Sequence, residues 1–226
     1  MEERHSRTAI LLGERGVEKL KNSRVAVFGV GGVGSYCAEG LARAGVGEIT
    51  LIDKDTVEES NLNRQLVALA STLSRSKAEV MKERILDIDP ACRAIAKQLF
   101  YLPETAEQID LGGYDFIADC IDNVTAKICL VERAKTLGVP VISAMGAGNR
   151  LDPTKIRVAE LEKTSVCPLA RVMRRELKKR GIGHVLCAYS EEEPCVRTAE
   201  TIGSVSFVPS VMGLVMAGEI VRRLAQ

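Results

Sequence analysis

The sequence predicts an α/β fold: a Rossmann-like, doubly wound, mostly parallel sheet with a C-terminal α+β extension. Three observations carry this. Apolar runs and helical periodicity alternate at a regular pitch as far as about residue 150, the pattern of successive right-handed βαβ units. A glycine-rich stretch, Gly29-Val30-Gly31-Gly32-Val33-Gly34, stands between the first apolar run and a helical pattern. Beyond that point the alternation gives way to shorter strand and helix patterns. The 226 residues are read as one domain, with a core over 22–150 and an extension over 151–226.

Each element has a local reason. Residues 8–21 carry apolar side chains at helical spacing. Arg24–Gly29 is an unbroken apolar run closed by glycine, the mark of a strand buried on both faces. Val33–Ala44 reads as a helix and Glu48–Asp53 as a second strand. Arg75–Asp89 is a polar-faced helix stopped by Pro90. Arg93–Leu99 and Asp115–Asp119 are strands, Thr125–Leu137 is a helix ended by Gly138, and Val139–Ala144 is a further strand. In the extension, Lys155–Leu161 and His184–Tyr189 read as strands and Pro168–Arg180 as a strongly basic helix. Glu191–Gly203 is expected to be a mobile polar loop, and Val208–Leu224 an amphipathic closing helix.

Composition excludes several classes. Hydrophobic content of 46% and charged content of 27% are ordinary globular values. A net charge of +1 gives no global attraction to nucleic acid or membrane, so any basic docking surface is local. With 4% aromatic residues and no Trp, few rings are on hand for base stacking. The seven cysteines, at 37, 92, 120, 129, 167, 187 and 195, form no CxxC pair, which argues against a zinc knuckle or a disulfide framework and for reduced thiols. Cys167, Cys187 and Cys195 each read as a small buried or incidental thiol. His5 and His184 are far apart and suggest neither catalysis nor a metal cluster. The charged start (Glu2, Glu3, Arg4) does not resemble a signal peptide, and no apolar run approaches the roughly 18 residues of a spanning helix; a cytoplasmic protein without a membrane partner is expected.

The glycine stretch is a G-x-G-x-x-G placed after a strand and before a helix. Gly29 permits the tight turn, Gly31 lets backbone approach a phosphate and Gly34 lets helix and strand pack closely, and Gly32 is counted with them as a nucleotide-binding candidate. The helix N-terminus then offers N–H groups to an anion. Asp53, ending the second strand, stands near the spacing of an acid that binds ribose hydroxyls. That motif alone would suit NAD. The stretch after it points to ATP: Asp55, then Ser60-Asn61-Leu62-Asn63-Arg64-Gln65, then Lys77. A triphosphate needs side-chain cations and a metal, which Arg64 and Lys77 and a carboxylate such as Asp122, just past a strand end, can provide.

This set resembles the ubiquitin-activating-enzyme-like superfamily, whose bacterial members adenylate carboxylates. The resemblance implies that Asp53 binds ribose, that Asn61, Arg64 and Lys77 hold the phosphates beside Asp55 and Gln65, and that Asp122 holds Mg²⁺. It also implies that Arg7 reaches the γ-phosphate in a partner subunit, hence a homodimer with shared sites, the extension serving substrate and dimer. Residues 143–156, 163–171 and 203–209 are similar to the tRNA threonylcarbamoyladenosine dehydratase family, extending the resemblance over almost the whole chain. That family implies ATP-driven adenylation of the threonyl carboxylate of the modified adenosine in tRNA, then ring closure with loss of water. Some relatives also imply a monovalent cation (Na⁺ or K⁺), a cysteine desulfurase or sulfur-acceptor partner, and a cysteine before the last helix, which this chain lacks between Thr198 and Pro209. On the basic helix, Arg171, Arg174, Arg175, Lys178 and Lys179 are the candidate tRNA contacts. Three rival readings stand beside this one: adenylation of the C-terminal glycine of a ubiquitin-like sulfur carrier, which the missing CxxC pairs argue against, an NAD-dependent oxidoreductase, and a nucleotide-binding scaffold without turnover.

Overall fold

The structure, a computed structural model, describes residues 3–196 and 202–226. Seven strands form one sheet in the order β3-β2-β1-β4-β5-β7-β6. They are β1 (Arg24–Phe28), β2 (Glu48–Ile52), β3 (Arg93–Lys97), β4 (Phe116–Asp119), β5 (Val141–Ala144), β6 (Ile156–Glu160) and β7 (Leu186–Ser190). All neighbours are parallel except β6 and β7, with Val158 opposite Ala188. The extension thus adds two strands to the edge of the same sheet, and its last strand in space is antiparallel.

Helices cover both faces. On one side lie α1 (Ser6–Lys21), α2 (Gly34–Ala44), α3 (Lys77–Ile88) and α6 (Phe207–Leu224), with a core that includes Leu41, Met81, Met212 and Ile220. On the other lie α4 (Val124–Leu137) and α5 (Pro168–Lys179), packed around Phe28, Leu130 and Met173. β1, β2 and β4 are almost wholly buried, which explains their continuous apolar runs.

The predicted elements all form, with ends moved by a few residues. The first helix differs more: Gly13, at φ 74° and ψ 161°, interrupts α1, a conformation glycine adopts without the steric cost of a Cβ. β5 starts only at Val141, because Val139 donates its N–H to Ala134 and closes α4 through the left-handed Gly138. The polar stretch expected to be mobile is partly anchored. The Glu192 carboxylate accepts from the backbone N–H groups of Leu151 (3.0 Å) and Asp152 (2.8 Å). Residues 197–201 of that stretch lie outside the described residues.

Two glycines hold α6 hard against α2. A Cβ on Gly213 would run into the Val33 carbonyl, and one on Gly40 would stand 2.7 Å from the Ala217 Cβ. This contact brings Pro209 beside the glycine turn. β1 sits between β2 and β4, so the chain reverses its winding there and leaves a crevice at the strands' C-terminal ends.

Candidate active site

That crevice is a cavity of about 400 Å³ at the ends of β1, β2, β4 and β5. Gly29, Gly31 and Gly32 form its floor. Gly29 takes φ 86°, and a Cβ there would sit 2.6 Å from the Cys120 carbonyl oxygen. At Gly31 the nearest atom to such a Cβ is Gln65 Nε2 at 3.8 Å, so the backbone there opens to the cavity. α2 begins with no side-chain cap, leaving its first turn to the cavity floor. Asp53 braces the turn: one carboxylate oxygen accepts from Val30 N–H (2.6 Å), the other from Asp55 N–H (2.8 Å). Burial pushes its pKa above the usual carboxylate value despite those bonds.

Charge converges from four segments. Asp53, Asp55, Arg64, Gln65, Lys77 and Asp122 all line the cavity. Lys77, buried at the start of α3, points Nζ at Asp55 (3.2 Å). Arg64 is held at the rim by the Ser60 carbonyl and Asn63 Oδ1, both 2.9 Å from Nη1. Gln65 is buried and its Oε1 has no hydrogen-bond partner, so an acceptor stands ready for a donor at the glycine turn. On the β2 side the cavity wall is apolar and aromatic, with Phe28, Ile52, Leu99, Phe100 and Tyr101. The Phe28 and Tyr101 rings meet edge to face at 4.8 Å, and Arg133 Nη1 donates to the Tyr101 hydroxyl (3.0 Å). On the β5 side the wall is Gly146, Ala147, Gly148, Leu169, Ile202, Ser204 and Pro209. A turn with phosphate geometry, cations, a carboxylate at a strand end and two flanking compartments can hold a nucleoside triphosphate beside a second substrate.

The ThiF family profile matches residues 4–226. The chain belongs to the ThiF family. Among its curated ThiF-like relatives is the tRNA threonylcarbamoyladenosine dehydratase of Bacillus subtilis, 44% identical over 97% of this chain and 93% of that protein. The enzyme of the same name from Escherichia coli is 42% identical over 78% of this chain and 66% of that protein. Crystal structures of Escherichia coli tRNA N6-threonylcarbamoyladenosine dehydratase, TcdA, superpose with TM-scores of 0.93 for the AMP complex and 0.92 for the ATP complex, at 36% identity. Both cover 98% of this chain, and 94% and 93% of the respective TcdA chains.

Within this ThiF chain, three residues expected at the nucleotide site, Asn61, Gly34 and Arg7, are not among those lining the cavity, and the five expected tRNA contacts on α5 stand apart from it. Asn61 is buried behind it: its Oδ1 accepts from Glu58 N–H (3.2 Å) and its carbonyl accepts from the N–H groups of Arg64 and Gln65, so it shapes the turn that presents them and does not line the cavity. Gly34 also lies outside, where a Cβ would collide with the Gly29 carbonyl; it serves close packing alone. Arg7 is exposed on α1, away from the cavity of its own chain. Arg174 is engaged on α5, its Nη1 donating to the Thr164 carbonyl (2.7 Å) and the Thr164 hydroxyl, which removes it from the freely presented cations.

Sequence reasoning missed Lys127 and Asp119. Both are fully buried and 3.0 Å apart. Lys127 Nζ also donates to the Ile121 carbonyl (2.9 Å), Ser143 Oγ donates to Asp119, and Ile121 N–H donates to Asp119 Oδ1 (3.2 Å). This network sets the Cys120-Ile121-Asp122 segment that lines the cavity. The signal in the sequence was a lysine in the second turn of a helix whose cap, Asn123, follows a strand-end acid. No group of three or more metal-ligating side chains occurs among the described residues. Nor does any described helix have the length and apolarity to cross a membrane. Cys167 and Cys187 are buried, with Cys187 pushed up to about 12 by burial, and Cys195 is exposed.

Proposed function

We propose that this protein is an ATP-dependent tRNA threonylcarbamoyladenosine dehydratase. It adenylates the threonyl carboxylate of N6-threonylcarbamoyladenosine in tRNA, and the side chain then closes into a ring. The observation that carries this reading is the single cavity in which the glycine turn, Arg64, Lys77 and Asp122 meet. Identity of 44% to a dehydratase over nearly the whole chain supports the choice of substrate.

The chemistry follows from the leaving group. Oxide is a poor one, so a carboxylate resists attack. A carboxylate oxygen attacks the α-phosphorus and pyrophosphate departs. A heteroatom of the carbamoyl group on the same side chain then attacks the acyl carbon and AMP departs. The nucleoside loses the elements of one water while ATP becomes AMP and pyrophosphate. Because the nucleophile is tethered, ring closure has a large entropic advantage. The protein's part is to bind, neutralise charge and keep water out. Arg64 and Lys77 would face the phosphates, with Gln65 and the turn from Gly29 to Gly32 beneath them. Asp53 and the Tyr101 side would take the nucleoside. Asp122 presents an exposed carboxylate that would hold Mg²⁺, and the ion would supply positive charge to offset the phosphates.

The exposed Arg7, one turn from Ile10 and Leu11 at 81% and 86% exposure, supports a homodimer in which α1 meets the partner and Arg7 serves the partner's cavity. Exposed Arg171, Arg175, Lys178 and Lys179 on α5 would dock tRNA phosphates. The test is incubation with ATP, Mg²⁺ and tRNA bearing the threonylcarbamoyl group, followed by nucleoside mass spectrometry. Loss of one water from the modified nucleoside is expected. Pyrophosphate exchange driven by a small protein ending in Gly-Gly, with the tRNA unchanged, would overturn the reading.

A further inference from the structure

The geometry points to Asn149 as a positioning residue that fixes the β5-side wall of the cavity and thereby limits the access of water. Asn149 follows Gly146-Ala147-Gly148, all of which line the cavity, and adopts the left-handed conformation at φ 57°. All four of its polar groups are engaged, with Cys195, Val196 and Gly203. Its backbone N–H donates to the Gly203 carbonyl (2.8 Å) and its carbonyl accepts from Cys195 N–H (2.8 Å). Its Nδ2 donates to the Val196 carbonyl (3.0 Å) and its Oδ1 accepts from Gly203 N–H (2.7 Å).

The residues beside these anchors form the wall. Ile202 and Ser204 line the cavity, and the Ile202 side chain lies so close over Gly148 that no Cβ would fit there. Ile202 is 73% exposed, so little packing fixes it; the Gly203 bonds to Asn149 do. On the opposite rim the Ser204 carbonyl accepts from Asn63 Nδ2 (2.9 Å), next to Arg64. Behind, the buried guanidinium of Arg150 donates to the carbonyls of Gly148 (2.9 Å) and Glu192 (3.1 Å), which fixes the corner itself. The wall is therefore suspended between Asn149 and Asn63, across the compartment opposite the nucleoside side.

An acyl adenylate has two fates: attack by the tethered nucleophile, or attack by water, which returns the carboxylate and wastes an ATP. Which wins depends on whether that compartment excludes water. This inference rests on the proposed function and adds that Asn149 sets the partition. The test compares Asn149→Gly, Asn149→Asp and wild type. Glycine takes the left-handed conformation at no steric cost, so N149G removes only the two side-chain bonds. Aspartate keeps the acceptor for Gly203 N–H and loses the donor to Val196.

The readout is AMP released per ring closed, with ATP affinity and melting temperature measured alongside. Wild type is expected near one AMP per ring. N149G is expected to release several-fold more AMP per ring and to need more tRNA for half-saturation, at unchanged ATP affinity; N149D should fall between. A ratio in N149G equal to wild type overturns the inference and leaves the proposed function standing. Should N149G fail to fold, an N149D ratio equal to wild type overturns it equally. Absence of ring closure in wild type removes the proposed function and this inference together.

Discussion

At the scale of single residues, two glycines two positions apart should fail differently when given a methyl group. At Gly29 the methyl would meet the Cys120 carbonyl at 2.6 Å in a left-handed backbone, so Gly29→Ala should lose about 1–3 kcal/mol of stability, read by urea unfolding. At Gly31 nothing lies closer than 3.8 Å, so Gly31→Ala should fold normally. Its methyl would instead occupy the place of a phosphate, and ATP affinity by calorimetry should fall at least about tenfold, or ~1.4 kcal/mol. Lys127 makes a third case. Lys127→Met strands a buried carboxylate on Asp119 and should cost about 3–5 kcal/mol. Adding Asp119→Asn should return part of that stability without returning ring closure, because the anchor on the Ile121 carbonyl stays lost. The roles of Gly29 and Gly34 were legible in the sequence, since only steric freedom explains glycines at that spacing. Lys127 was not. A lysine on a helix reads as solvated, and only the packing of α4 on β4 reveals that this one is inside.

At the scale of elements, α5 separates into two sets of cations. Glu176 gathers Arg175 (2.9 Å), Lys179 (3.0 Å) and Arg180 (3.4 Å), and its pKa is held down at about 2, first by Lys179 and then by Arg175. Arg174 is spent on Thr164. Arg171 and Lys178 are exposed outside that cluster. The double variant Arg171→Glu with Lys178→Glu should therefore weaken tRNA binding in a gel-shift titration and flatten its salt dependence by about two contacts, with ATP affinity unchanged. Arg174→Ala should leave tRNA affinity intact and lower stability by about 1–2 kcal/mol, read by urea unfolding. Counting charges along the sequence could not make this division, because it depends on which carbonyls the preceding loop turns toward the helix. Element positions were far easier: glycine and proline mark most of the boundaries, and buried parallel strands declare themselves as apolar runs. The pairing of β7 between β5 and β6 was invisible, since strand order depends on crossovers whose direction leaves no mark on local periodicity.

At the scale of the whole molecule, the convergence of Asp53, Arg64, Lys77 and Asp122 from separate segments is legible through the family resemblance of their spacings more than through physics. The structure supplies the physics, a winding reversal at β1 that brings those segments to one crevice. The compartment walled by Ile202 and Ser204 had no such pattern to announce it. If Arg7 serves the partner's cavity, Arg7→Ala and Asp122→Ala should each abolish ring closure alone. Mixed and allowed to exchange subunits, they should regain up to about a quarter of the sites of wild type, because half the dimers then carry one intact site. No recovery on mixing, with exchange verified by mass, would place Arg7 outside the reaction.

The contact of α6 with α2 reaches further than packing. The glycine turn leaves the ribosome well before the helix that presses Gly213 onto Val33 and sets Pro209 beside Gly32. A contact so distant along the chain forms late and slowly. A nascent chain halted before residue 207 would own every phosphate-facing residue named above and still have an unbacked cradle. ATP capture should therefore begin only once synthesis has passed that helix.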